Sequence, residues 1–218
     1  MKLCIFDLDG TLTDTLSSIA FYGNSALEKS GFLPIPEAEY KYLAGNGRDT
    51  LVHRMLAYRN ADTEENFKKV GSDYDEAYES DVICFAKPFP GIVKLIDDLK
   101  AAGVLVAVLS NKPDNVVVPC VEEIFGECFD YVMGAKKEIK IKPAPDAAFK
   151  IAETFGVKTK DCFFIGDTNI VICTGKAAGM KTIGVLWGFR DRDELLDAGA
   201  DFIAEKAEEI YSFVTENL

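Results

Sequence analysis

The sequence predicts an α/β fold: a doubly wound parallel sheet with a compact all-helical segment inserted after its first strand. Three observations carry that prediction. From Gly91 onward, short apolar runs rich in β-branched and aromatic residues alternate with amphipathic stretches, and strands separated by helices pair in parallel. Residues 16 to 80 contain no strand-like run, only apolar residues at three- and four-residue steps. One strand, Leu3-Cys4-Ile5-Phe6, stands ahead of that helical stretch and is closed by the turn signal at Gly10.

In the insert, Ile19, Tyr22, Ala26 and Leu27 recur at helical spacing and stop at Gly31. Helices follow over Glu37 to Leu43 and Arg48 to Tyr58. Another, Glu64 to Tyr78, carries Phe67, Val70, Tyr74 and Tyr78 on one face. Pro88 and Pro90 forbid a helix through 86–91, so that segment returns the chain to the sheet. The order then runs helix Ile92 to Ala102, strand Val104 to Leu109, helix Val116 to Ile124 and strand Tyr131 to Met133. Next come helix Asp146 to Phe155, strand Cys162 to Ile165, helix Ile170 to Ala178 and strand Thr182 to Leu186. A short strand at Phe202-Ile203 and a helix over Ala207 to Val214 finish the chain. The division expected is 1–15 with 84–218 as a Rossmann-like core, and 16–83 as the helical insert.

The formal net charge of −12 argues against nucleic-acid or anionic-membrane partners, and it means that any phosphate site must be electropositive locally. Six cysteines, Cys84 among them, show no Cys-x-x-Cys spacing. Buried free thiols in a reducing compartment account for them better than zinc or disulfides. No run reaches membrane-spanning length, and the first strand begins at residue 2 or 3, which leaves no room for a signal peptide. A cytoplasmic monomer or homodimer is expected.

Ligands of open α/β sheets sit at the carboxyl ends of the strands. Those ends supply Asp7 and Asp9, then Ser110-Asn111, then Asp167, with Lys142-Pro143 leading into a helix. Asp7 and Asp9 are two apart, so they share a strand face and point at one pocket. Two such anions require a metal, a shared proton or both. Each signal alone is weak. Asp-x-Asp-Gly is a common turn, Ser-Asn a common helix cap, and a lysine before proline is ordinarily solvated. Lys136, Lys137 and Lys140 also lie close to Lys142. Order and spacing together make the signal.

Asp7-Leu8-Asp9-Gly10-Thr11-Leu12-Thr13-Asp14-Thr15, with the later three motifs, resembles the haloacid dehalogenase-like hydrolases across nearly the whole chain. Several stretches are similar to phosphoglycolate phosphatases, including Gly45 to Val52, Ser110 to Pro113 and Val185 to Arg190. The resemblance implies a Mg²⁺-dependent phosphatase acting on a small phosphorylated metabolite, with phosphoglycolate favoured. A pyrophosphatase, a sugar phosphatase, a β-phosphoglucomutase-like transferase and a non-catalytic binding protein are the alternatives. It implies Asp7 as nucleophile and Asp9 as general acid and base, with the Asp7 anion favouring a proton on Asp9. Ser110 and Asn111 would hold the phosphoryl group, Lys142 would neutralise charge, and Asp7, Asp9 and Asp167 would hold the metal. The insert takes the place of the family's cap domain, and Gly45, Asn46, Gly47, Arg48 and Arg54 are its candidate substrate contacts. His53 is expected at the surface. One departure stands out: where relatives carry a second acid in the Gly166-Asp167 motif, this chain has Val171. A raised magnesium requirement is the expected consequence.

Overall fold

The computed structural model describes residues 1–80 and 85–217. The chain opens with β1 (Leu3–Phe6) and a two-residue strand, β2 (Thr13–Asp14). Four helices follow: α1 (Leu16–Lys29), α2 (Tyr40–Leu43), α3 (Arg48–Tyr58) and α4 (Glu64–Ser80). Strand β3 (Lys87–Pro88) pairs antiparallel with β2, so the chain leaves and re-enters the sheet domain side by side. Then come α5 (Ile92–Ala101), β4 (Leu105–Pro113), α6 (Asp114–Phe125), β5 (Tyr131–Ala135) and α7 (Asp146–Thr154). The last third holds β6 (Cys162–Gly166), α8 (Asn169–Ala177), β7 (Lys181–Val185), α9 (Arg192–Asp197), β8 (Phe202–Ala204) and α10 (Ala207–Glu216).

Six strands form one parallel sheet in the order β5-β4-β1-β6-β7-β8. The chain builds outward from β1 in one direction and returns to build in the other. A crevice therefore opens where β4, β1 and β6 end. Alternation along the strands makes both faces apolar. Cys4, Phe6, Val106 and Val108 meet α5, α6 and α10, while Leu3, Ile5, Ala107 and Leu109 meet α7 and α8. A third apolar cluster joins α1 to α4 and takes in Val116 and Phe189 from the sheet side.

The six expected strands are present, and all but the first differ by a residue or more at their ends. The largest change is β4, which runs on from Leu109 through Pro113 with a register shift against β5. Strands β2 and β3 were not expected, because two residues give no periodicity to read. Helix α9 was also not expected. Its start is legible in retrospect: the Asp191 side chain accepts a hydrogen bond from the Glu194 N–H at 3.0 Å, an N-cap three residues ahead. The domain boundary placed between residues 83 and 84, and Cys84 itself, lie outside the described residues. The other five cysteines are free; Cys173 is exposed, against the expectation of burial for the set. Among the described residues no helix is long and apolar enough to cross a membrane.

Candidate active site

The Asp7 N–H donates to Ile165 O at 2.9 Å, extending the β1–β6 ladder by one residue before the chain turns. The turn closes on Leu8, whose carbonyl accepts the N–H groups of Thr11, Leu12 and Thr13. Gly10 sits at φ +77°, and a Cβ there would lie 2.2 Å from Asp167 Oδ2. Gly188 presses in from the β7 side: its Cβ would lie 2.3 Å from Asp167 Cβ and from the Gly10 carbonyl. Only glycine fits at either place, and the Asp167 carboxylate lies between them.

Asp7 Oδ1 accepts the Leu8 N–H at 2.8 Å and pairs with Lys142 Nζ at 2.7 Å. Lys142 is 2% exposed, and its ammonium also donates to Leu109 O at 3.0 Å. Asn111 fixes the backbone of that lysine through reciprocal bonds: its Nδ2 donates to Lys142 O, and its Oδ1 accepts the Lys142 N–H. Asp167, fully buried, accepts Thr11 Oγ1–H at 3.1 Å and the Phe189 N–H at 2.8 Å.

Burial raises the Asp7 carboxyl above its ordinary range; Lys142 pulls it back and the Asp9 charge adds to the rise. Asp167 is pushed up to about 7, first by burial and then by the Asp7 charge, against its bonds from Phe189 and Thr11. The Asp7 charge thus bears on a second buried acid, Asp167, whose own partners are hydrogen-bond donors. The buried Thr168 hydroxyl, on the cleft wall beside Asp167, finds no hydrogen-bond partner among the described residues. This donor set suits a hard divalent cation that takes oxygen ligands and keeps its waters. Among the described residues no three His, Cys, Asp or Glu side chains gather as a metal cage, so such an ion would need main-chain oxygen and water as well.

Asp7, Asp9, Ser110, Asn111 and Lys142 line one cleft of about 470 Å³; Asp167 does not line it but lies beside the Asp7–Gly10 turn. The insert contributes Gly45, Gly47 and Arg48 to the same cleft. Asn46 and Arg54 are not on its wall. Arg54 Nη1 donates to the carbonyls of Tyr42 and Leu43 at the end of α2, so its guanidinium is spent on main chain. Arg48 is on the wall but is matched: it forks onto Asp75 at 2.9 and 2.6 Å and also meets Asp49. His53 stacks on Phe67 and bonds Asp62 at the surface, as expected. Val171 is fully buried in the apolar layer beneath the sheet, and a Cβ on Gly166 would lie 2.6 Å from its methyl groups. The position is filled by packing, which is why the missing acid leaves no hole.

Sequence reasoning missed Lys112. Its Nζ lies 2.8 Å from Asp9 Oδ1, with its side chain 9% exposed. Burial alone would pull that ammonium down, but Asp9 and Tyr78 outweigh it, and its pKa stands well above the ordinary lysine value. The Asp7 anion is therefore not the sole charge acting on Asp9. The signal was available: Lys112 follows Ser110 by two, the same spacing that pairs Asp7 with Asp9.

The haloacid dehalogenase-like hydrolase family model matches residues 1–179. The chain belongs to that family. A phosphoglycolate phosphatase of Neisseria meningitidis is 30% identical over 94% of this chain and 90% of its own length. One from Vibrio parahaemolyticus is 27% identical over 98% and 96%. A crystal structure of a proposed phosphoglycolate phosphatase from Lactobacillus delbrueckii subsp. bulgaricus superposes with a TM-score of 0.94 at 33% identity, covering 98% of this chain and 99% of that one. Within the haloacid dehalogenase-like hydrolases, this chain is a phosphatase. A β-phosphoglucomutase from Clostridium difficile shares the fold at TM-score 0.80 and 23% identity, so architecture alone does not select the reaction.

Proposed function

We propose that this phosphatase hydrolyses the monoester of a small anionic metabolite, phosphoglycolate first, through a phosphoryl group carried on Asp7. The observation that supports this best is the ion pair between buried Lys142 and Asp7 Oδ1 at the floor of the cleft. Oδ1 is engaged by Lys142 and by Leu8 N–H, so Oδ2 is the oxygen we assign to attack. As the new bond from Oδ2 to phosphorus forms, the ester P–O bond breaks, and Asp9 gives its proton to the departing alkoxide. Asp9 then takes a proton from water as that water attacks phosphorus and releases the Asp7 carboxylate. Ser110 donates to a phosphoryl oxygen, and Asn111 holds Lys142 in place.

Asp7, Asp167 and the Asp9 carbonyl would hold Mg²⁺, which supplies positive charge between the carboxylate and the phosphate dianion. The helices of 16–83 act as the cap, with Gly45 and Gly47 offering backbone N–H groups to the substrate. Two observations favour a second reading, a sugar phosphatase: Arg48 is already neutralised by Asp75, and the cleft is roomy for a two-carbon acid. A panel of phosphorylated metabolites assayed for phosphate release with Mg²⁺ separates the two by kcat/KM. Activity that survives Asp7→Asn would sink both.

A further inference from the structure

Lys112 stands at a junction. Its N–H donates to Ser110 Oγ at 3.1 Å, and its ammonium pairs with Asp9. The same ammonium lies 5.1 Å from the centre of the Tyr78 ring, which comes from α4 of the insert. Tyr78 is buried against Tyr74 and Tyr22, so its ring does not give way easily. Asp9 is held at one oxygen, Oδ1. That leaves Oδ2 as the oxygen that can carry a proton toward the cleft.

We propose that Lys112 is a positioning residue for Asp9. It locks the carboxylate so that Oδ2 faces the leaving group, and Tyr78 is the buttress through which the insert holds Lys112. The inference rests on the reading of Asp9 as acid and base given above. No bond to Lys112 is made or broken in the reaction. When Asp9 passes its proton to the alkoxide, the resulting carboxylate finds an ammonium already in contact, and proton donation is favoured. Without Lys112 the carboxylate turns freely and has no counter-charge when the proton leaves.

This role predicts a dependence on the leaving group that a merely structural residue would not produce. An alkoxide needs Asp9's proton, whereas a nitrophenolate leaves without one. The measurement is kcat/KM for 2-phosphoglycolate and for p-nitrophenyl phosphate, at saturating Mg²⁺, in Lys112→Met, Lys112→Arg and Tyr78→Leu. Lys112→Met should lose on the order of 100-fold or more on the alkyl ester, and less than about 5-fold on the aryl ester. Lys112→Arg should recover much of the difference, and Tyr78→Leu should show the same bias at smaller size. Should Lys112→Met fail to fold, Tyr78→Leu carries the comparison. Equal losses on both esters, or no loss on either, would overturn the proposal. Asp7→Asn in parallel tests the underlying reading: aryl phosphatase activity surviving there would remove the aspartyl-phosphate scheme whatever Lys112 does.

Discussion

Replacing Asp167 by Asn should flatten the pH dependence of stability of the metal-free protein. In the folded chain the Asp167 carboxyl is pushed up to about 7 from an ordinary value of 3.8. Between those limits the native state keeps a proton that the unfolded chain has lost. The unfolding free energy therefore falls as pH rises through that window, and the loss is complete just above pH 7. One group shifted this far costs roughly 2 kcal/mol between about pH 5.5 and pH 8. For a chain of this length that is about 4–8 °C in Tm. Thermal melts in EDTA at both pH values should show that fall in the wild type and lack most of it in Asp167→Asn. The Asp7 carboxyl is raised in the same direction, but it is present in both proteins, so the difference in slope isolates Asp167. Added Mg²⁺ at the higher pH should raise Tm in the wild type more than in the variant, because a ligand that binds only the folded state stabilises it. Parallel pH profiles for the two proteins would refute the reasoning, since they would mean that Asp167 stays ionised despite its burial.

Lys142→Met leaves Asp7 Oδ1 without its ammonium and should lower kcat by about 100-fold or more, with fold retained by circular dichroism; a loss under tenfold would show that Lys142 is not the main charge partner. Gly188→Ala pushes a methyl group into Asp167 and the Gly10 carbonyl. It should cost about 1–3 kcal/mol in urea unfolding and raise the Mg²⁺ concentration for half-maximal rate, whereas an unchanged magnesium curve would show that the Asp167 position is tolerant. Val171→Asp places a carboxylate in a fully buried apolar site, so the metal-free variant should be destabilised by several kcal/mol, on the order of 3. If the acid reaches the ion, the same variant should need less Mg²⁺ for half-maximal rate; titration of activity against Mg²⁺ decides, and an unmoved midpoint means that the position plays no part.

The core of the site was legible because its residues lie at positions that strand geometry dictates. Asp7 and Asp9 follow a four-residue apolar strand, and Ser110, Lys142 and Asp167 follow or precede elements whose periodicity is plain. The insert residues were read less well. Arg54 and Asn46 sit in a suggestive stretch, but which way a cap residue points depends on local partners: the α2 carbonyls capture Arg54, and Asp75, 27 residues along the chain, captures Arg48. Its spacing of two from Ser110 made Lys112 a candidate, but the sequence pattern ends β4 at Leu109 and so places Lys112 beyond the strand. A register shift against β5, which only pairing reveals, carries the strand on to Pro113.

By itself the sequence determined the alternation of strands and helices, the helical insert, and the set of acids, hydroxyl and lysine at the strand ends, since each depends on local periodicity and turn chemistry. Tertiary structure decided which charges meet. It set Lys142 against Asp7 and Lys112 against Asp9, and it wedged Asp167 between Gly10 and Gly188. Apart from the Gly188 contact, these join residues more than 100 positions apart in the chain, and proximity of that kind comes from strand order in the sheet, which no local pattern encodes.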